Sequence, residues 1–343
     1  MFLMKKWHLS LYFKAFVAIF LAPAIAADLS PANGGTAQMS SAADVGDWLR
    51  KLHESSRRKA YTGTFVVSTA GTMSSARIWH VCDGEQQLER VDTLTGPART
   101  TLRRNDEVVT FVPESRLTVL ERREALSLFP ANLQPGDLAV GEFYTLNGLA
   151  SVERVAGLLA DAHELLPRDD LRFGYRVWSE RKTGLVVKLQ TLDLDRRVLE
   201  QVAFSELNLG AQVKVDELLR MMKNRPGYTV QNVSMTRTTP LEQGWRLRQP
   251  VPGFVSTGCH VRSASAASDP GKAPMQWVFS DGLASVSVFV APYEPTRHTR
   301  AGQMSSGATH SLSRRHGEYW VTLVGEVPAK TLAWFAQSLE RTR

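Results

Sequence analysis

Tyr61-Thr62-Gly63-Thr64-Phe65-Val66-Val67-Ser68 is the stretch on which the fold turns. It is rich in β-branched and aromatic residues, runs for the length of one strand and stops before Gly71, which together read as a β-strand. Segments of the same character recur at spacings of about ten residues: 77–82, 87–93, 99–104, 107–113 and 117–121. Turn formers separate them, among them Asp83-Gly84, Gly96-Pro97 and Asn105-Asp106. A second series occupies 174–180, 185–192 and 198–204, joined by Thr183-Gly184 and by Asp195-Arg196-Arg197. Such short links join antiparallel neighbours, because a parallel pair needs a long crossover. Apolar residues alternate with polar ones at Phe65 and Val67, Val109 and Phe111, Val177, and Val187 and Leu189, so one face of the sheet is expected to be apolar. Upstream, Val45, Trp48, Leu49 and Leu52 recur at helical spacing within 42–59, with Ser41 and Asp44 placed as a capping box. A large curved antiparallel sheet with a helix lying on it describes the first domain.

The leader in front of that helix has a different logic. Lys5, Lys6 and Lys14 precede an apolar run over 15–21, and Ala24-Ile25-Ala26 supplies small residues where a signal peptidase reads. Residues 1–26 are expected to be a cleaved secretory signal peptide, the apolar run being shorter than a membrane span requires. Residues 27–41, mostly Ala, Ser, Gly and Pro, read as a flexible leader that buries too little to order itself. An exported chain in the periplasm is the implied location.

Composition fits a globular protein: 343 residues, 43% hydrophobic, with 41 Lys+Arg against 34 Asp+Glu. Losing the three leader lysines lowers an already modest formal charge of +7, and the basic residues come as scattered pairs such as Arg57-Arg58 and Arg196-Arg197. No basic stripe interleaved with aromatics marks a nucleic-acid surface. Cys82 and Cys259 stand far apart; export permits a disulfide between them, and two separate buried thiols are the alternative.

Residues 42–210 form the first domain on this reading, 211–243 a linker or hinge where the strand rhythm lapses, and 244–343 a smaller α+β domain. Within 211–243 a short helix is expected over 213–223. The second domain offers strands at 245–249, 275–280, 283–290, 308–314 and 318–324, with Asp281-Gly282 as a type I′ hairpin signal. A closing helix starts near Pro328 and carries Leu332, Phe335, Ala336 and Leu339 as its stripe. Residues 151–166 are in conflict: Val152, Val155, Ala156, Leu159 and Leu166 suit a helix, whereas Gly157 opposes one.

Catalytic signatures are missing. The chain has no nucleophile elbow, phosphate loop or dinucleotide fingerprint, and His163-Glu164 meets Pro167 where a zinc protease needs its second histidine. Asp169-Asp170 and Asp193 with Asp195 read as turn residues, and the histidines show no ligand spacing. No cofactor and no metal is expected, and binding rather than catalysis is the expected activity. A curved sheet incompletely covered by helices offers a cleft for an acyl chain or apolar peptide. By strand parity its candidate lining is Phe65, Val67, Trp79, Val109, Phe111, Val177, Val187 and Leu189.

Several stretches stand out together. They are Tyr61-Thr62-Gly63-Thr64-Phe65, Arg154-Val155-Ala156-Gly157, Pro167-Arg168-Asp169, Arg172-Phe173-Gly174-Tyr175-Arg176-Val177-Trp178 and Thr183-Gly184-Leu185 in the first half. In the second half they are Ser280-Asp281-Gly282-Leu283-Ala284-Ser285-Val286-Ser287-Val288-Phe289 and Val324-Gly325-Glu326-Val327-Pro328. In this order they resemble the RseB/MucB family of periplasmic sigma-E regulators. The resemblance implies a mainly β and α+β protein: a LolA-like half-open antiparallel barrel with helices on its concave side, plus a smaller α+β C-terminal domain. It also implies strand for 154–166. The function it implies is to bind the periplasmic region of an RseA/MucA-type transmembrane anti-sigma factor and shield it from the site-one protease, with release by lipopolysaccharide or another lipid. Partner contact is implied for the C-terminal domain, where Phe254, Asp281, Phe289 and Tyr293 are the candidates. A lipid or lipoprotein carrier of the LolA type is the rival reading, an exported enzyme is a third, and self-association stays open.

Overall fold

The computed structural model describes residues 42–84, 86–122, 140–264 and 274–342. The expected signal peptide, leader and Ser41 cap lie outside the described residues. The first half opens with α1 (Ala42–Arg58) and then runs through β1 (Tyr61–Thr69), β2 (Thr72–Asp83), β3 (Gln86–Thr93), β4 (Thr100–Arg104), β5 (Glu107–Val112) and β6 (Leu117–Arg122). After a short α2 (Val140–Phe143) come β7 (Tyr144–Val155), β8 (Leu158–Pro167), β9 (Gly174–Glu180), β10 (Val186–Leu192) and β11 (Val198–Leu209). Next stand α3 (Val215–Lys223) and β12 (Thr229–Arg237). The second half holds β13 (Trp245–Leu247), β14 (Val255–Ala264), β15 (Met275–Ser280), β16 (Ser285–Pro292), β17 (Gly302–Ser306), β18 (Thr309–His316), β19 (Tyr319–Gly325), α4 (Ala329–Ser338) and β20 (Leu339–Arg341).

Eighteen of these strands make one open sheet. From one edge to the other the order is β7-β8-β9-β10-β11-β1-β2-β3-β4-β5-β6-β12-β14-β15-β16-β19-β18-β17, antiparallel except at β6 and β12. The strand β12 therefore stitches the halves together, pairing in parallel with β6 through Thr229↔Leu117 to Val233↔Glu121 and antiparallel with β14 through Val233↔Ala264 to Arg237↔His260. The segment 211–243 thus contains a helix, expected over 213–223 and found at Val215–Lys223, and a bridging strand where the sequence shows only a lapse of rhythm. Only Val233 of β12 is buried, so alternation gives no signal there.

The disputed stretch 151–166 is neither a helix nor a single strand. It is a hairpin whose turn is Ala156 (φ 48) and Gly157 (φ 80), flanked by Val155↔Leu158. Two left-handed residues in succession suit such a turn, which is why Gly157 opposed the helix.

Two helices cover opposite faces of the sheet. Paired residues share a face, and the pairings Val67↔Val202, Leu189↔Val202 and Leu189↔Val177 place Phe65, Val67, Val177 and Leu189 on one of them. There α1 buries Val45, Leu49 and Leu52 against Leu165, Tyr175 and Val177. Trp79 pairs with Thr62, one residue out of phase with Phe65, and leads through Arg90, Leu102 and Val109 across the other face. That face carries α3, whose Leu218 and Met222 pack on Leu88, Leu102 and Val109. In the second half α4 lays Leu332, Phe335 and Ala336 on Trp277, Phe279, Val286, Val288 and Leu323, as its stripe predicts.

Candidate functional site

The loop 168–173 between β8 and β9 ends inside the protein. Asp169 accepts the Leu171 N–H at 3.0 Å, a local turn that aims Leu171 and Arg172 toward the second half. Arg172 is fully buried. Its Nε donates to Asp281 Oδ2 at 2.9 Å, its Nη2 to the Pro252 carbonyl at 2.7 Å, and its Nη1 to Asp169. Three rings close around the guanidinium: Phe143 at 4.4 Å, Phe254 at 5.2 Å and Tyr144 at 5.9 Å.

Asp281 uses both oxygens. Its Oδ1 accepts the Leu283 and Ala284 N–H groups at 2.9 and 2.7 Å, and its Oδ2 accepts the Tyr144 hydroxyl at 3.0 Å besides Arg172. The expected type I′ turn is absent: β15 and β16 pair at Ser280↔Ser285, and of the intervening residues only Gly282 has positive φ, at 98°. The Asp281 carboxylate builds the loop instead, while Ser280 Oγ accepts the Gly282 N–H and donates to the Ala284 carbonyl. Burial pushes the Asp281 carboxyl up, and Arg172 and the two backbone N–H groups pull it back. Burial, then the Asp281 charge, holds the Tyr144 phenol well above its ordinary range, so it stays a donor.

Each half also gives the other a leucine. Leu171 lies in the core beneath α4, and Leu283 lies in the core beneath α1. The Thr331 hydroxyl donates to the Leu171 carbonyl at 2.6 Å, Lys330 pairs with Asp170 at the surface, and Phe173 meets His310 edge to face at 5.7 Å. The halves are thus joined twice, by β12 within the sheet and by an Asp169–Arg172–Asp281–Tyr144 network in which all but the half-buried Asp169 are desolvated. A buried ion pair with every partner satisfied fixes one geometry more than it adds stability.

The groove candidates are not brought together. Val177 and Leu189 lie beneath α1, and Phe65 meets Phe204 edge to face at 6.2 Å on the same face. Val67 is half-buried there. Trp79 lies on the opposite face under the Arg90 guanidinium at 4.6 Å, with Val109 beneath α3 and Phe111 against Tyr228. Val187 sits in the register shift between Val186 and Lys188 and packs on Trp178. Alternation within each strand is right, but the phase between strands is a matter of register that sequence does not print.

Of the partner candidates, Asp281 and Phe254 are buried in the joint and in the α4 core, so neither offers a surface in this arrangement. Phe289 is half-buried, and Tyr293 stacks near His298 and Trp320 beneath Arg315. Cys82 and Cys259 are unbridged, Cys82 half-buried and Cys259 buried. Among the described residues no group of three or more His, Cys, Asp or Glu could hold a metal. Sequence reasoning missed Arg172, Tyr144, Leu171 and Leu283. The available signal was an arginine set between Leu171 and Phe173, where an exposed loop would carry no such neighbours.

The profile of the MucB/RseB N-terminal domain matches residues 44–222, and that of the MucB/RseB C-terminal domain matches 239–340. The chain belongs to the MucB/RseB family. The sigma factor AlgU regulatory protein MucB of Pseudomonas aeruginosa is 32% identical over 307 residues, covering 87% of this chain and 91% of that one. The sigma-E factor regulatory protein RseB of Escherichia coli is 22% identical over 298 residues, covering 86% and 90%. Among solved structures, MucB in complex with MucA(peri) superposes with a TM-score of 0.63 at 26% identity, over 87% of this chain and 98% of that one. The Pseudomonas aeruginosa MucA/MucB complex gives 0.65 at 26% identity, over 88% and 99%. The interval between the two family matches holds the bridging strand β12.

Proposed function

We propose that this chain is a periplasmic regulator that binds the periplasmic region of a transmembrane anti-sigma factor and shields it from site-one proteolysis until lipid or lipopolysaccharide releases it. The observation that carries this is the match of both halves, in order, to MucB, a protein whose solved complexes include MucA. The chain acts by binding and not by catalysis. Its first half is the lipid-sensing unit, its second half the partner-binding unit, and 211–243 the hinge. If lipid favours one arrangement of the halves and the anti-sigma segment another, each ligand weakens the other by the same factor. The Asp169–Arg172–Asp281–Tyr144 joint is the element such a rearrangement has to break.

Calorimetric titration of residues 27–343 with the periplasmic segment of the organism's anti-sigma factor, without and then with lipopolysaccharide, tests this. Tight binding lost on adding lipid supports the reading. Lipid binding with no binding of the segment leaves a carrier of lipid or lipoprotein. A disulfide engineered across the joint separates the routes to release: if the locked protein still loses the segment on lipid addition, the two ligands compete for one groove and no hinge is involved.

A further inference from the structure

The continuous sheet ends on two strands, β7 and β17, and they are built differently. The strand β7 carries Glu153 and Arg154 and a register shift between Gly148 and Val152, features that discourage strand pairing. The other edge, Gly302-Gln303-Met304-Ser305-Ser306, has no charge, no proline and no register shift against β18. Its first four residues are exposed, Met304 by 77%. Among the described residues nothing pairs with its outer side. An uncharged edge with a free row of N–H and C=O groups is a template for another strand.

Three observations say what strand it suits. Residues 297–316 contain Arg297, Arg300, Arg314 and Arg315 and no Asp or Glu; Arg297 meets Glu294 and Arg315 meets Glu318 just outside that range, and the base of the hairpin keeps a net positive charge. A cavity of ≈160 Å³ opens beside the edge, lined by Gln303, Ser305, His310, Leu312, Ala329 and Leu332. The Nδ1 of His310 is buried without a hydrogen-bond partner in that wall. The hairpin is also held at its turn, where Ala308 is buried and Gly307 lies so close to Thr69 of β1 that a Cβ would not fit. The turn end of the edge is therefore fixed against the first half and stands next to the joint.

We propose that β17 is an acceptor edge for an acidic, extended segment of the anti-sigma partner, which adds as a strand to the sheet and sets one side chain in the cavity beside His310. This rests on the regulator reading above and names the site through which it acts. Backbone pairing supplies the affinity, and the arginines and the cavity supply the selectivity. A second copy of the chain is the poorer occupant, since edge-to-edge pairing would set the same arginines against one another.

The test combines hydrogen exchange with titration, using residues 27–343 and the periplasmic segment of the anti-sigma factor. Amides of 302–306 should slow by about tenfold or more when the segment binds, as newly paired edge groups do. Replacing both Gln303→Glu and Met304→Glu should weaken binding by about tenfold or more through charge repulsion, while Met304→Leu stays within about twofold. Because β17 is exposed, both variants should keep the wild-type melting temperature. Binding with unchanged exchange at 302–306 and unchanged affinity in the glutamate variant overturns the acceptor edge and leaves the regulator reading standing. A glutamate variant that changes only self-association or vesicle binding also overturns it. Absence of any binding to the wild-type chain overturns both.

Discussion

The carboxylate of Asp281 and the guanidinium of Arg172 meet at 2.9 Å although 109 residues separate them, and neither side chain is exposed to any degree. Removing one partner of such a pair leaves an uncompensated buried charge, which costs about 3–5 kcal/mol, whereas removing both costs less than the sum. Asp281→Asn keeps an acceptor for the Leu283 and Ala284 N–H groups and so isolates the charge. We expect it to lower stability by about 3 kcal/mol and to broaden the distance distribution between spin labels on the two halves. The double variant with Arg172→Met should recover part of that loss. Strict additivity in denaturant unfolding would show that the two groups do not act together.

Gly253 tests the same joint without altering a charge. Its φ is +79°, and a Cβ there would lie 2.5 Å from Arg172 Nη2 and 2.9 Å from Phe143 Cζ. Gly253→Ala should therefore displace the guanidinium from the Pro252 carbonyl and strain the backbone, at a cost of about 1–3 kcal/mol. The reading is wrong if the variant melts with the wild-type protein.

Much of the first half was legible because its strands alternate and its turns use Gly and Asp. Where alternation carried no information, reading failed. In β7 and β12 neighbours decide the conformation, and the mostly exposed Thr229–Arg237 strand exists because β6 and β14 flank it. The groove list failed for a different reason. Trp79 and Phe65 each alternate correctly, yet Thr62↔Trp79 sets them on opposite faces. Asp281 shows a third limit, since a turn aspartate accounts for itself locally and gives no hint of a partner such as Arg172.

The two thiols differ in what a reagent can reach. Burial, with the charge of Glu242, pushes the Cys259 thiol up to about 11, so it is a poor nucleophile at neutral pH. Cys82 is half-buried, with its thiol directed at the Gly84 carbonyl. A maleimide should label Cys82 in the folded protein and Cys259 only after unfolding, and the intact mass should not change on reduction. A mass gain of two hydrogens on reduction would establish the bridge that this structure lacks.

Acid should loosen the fold before the carboxylates of Asp170, Glu242 and Glu340 titrate. Burial lowers the pKa of His163, His298, His310 and His316. Asp170, Glu242 and Glu340 are held below the usual carboxylate range by Lys330, by the Thr239 N–H and by Arg246, so they stay charged well into acid. A histidine with a lowered folded pKa binds fewer protons folded than unfolded, so its contribution is complete above the ordinary imidazole value and is lost as pH falls toward the folded one. Stability should thus decline between about pH 7 and pH 5. His163 is the informative member: its ring lies 5.1 Å from Trp48 of α1, its Nδ1 is buried without a partner, and only the charge of Asp161 opposes the shift. His163→Gln keeps a polar side chain of similar reach and removes the proton, so it should flatten part of the decline in melting temperature across this window. An unchanged slope in the variant would mean that α1 does not hold His163 in its neutral form.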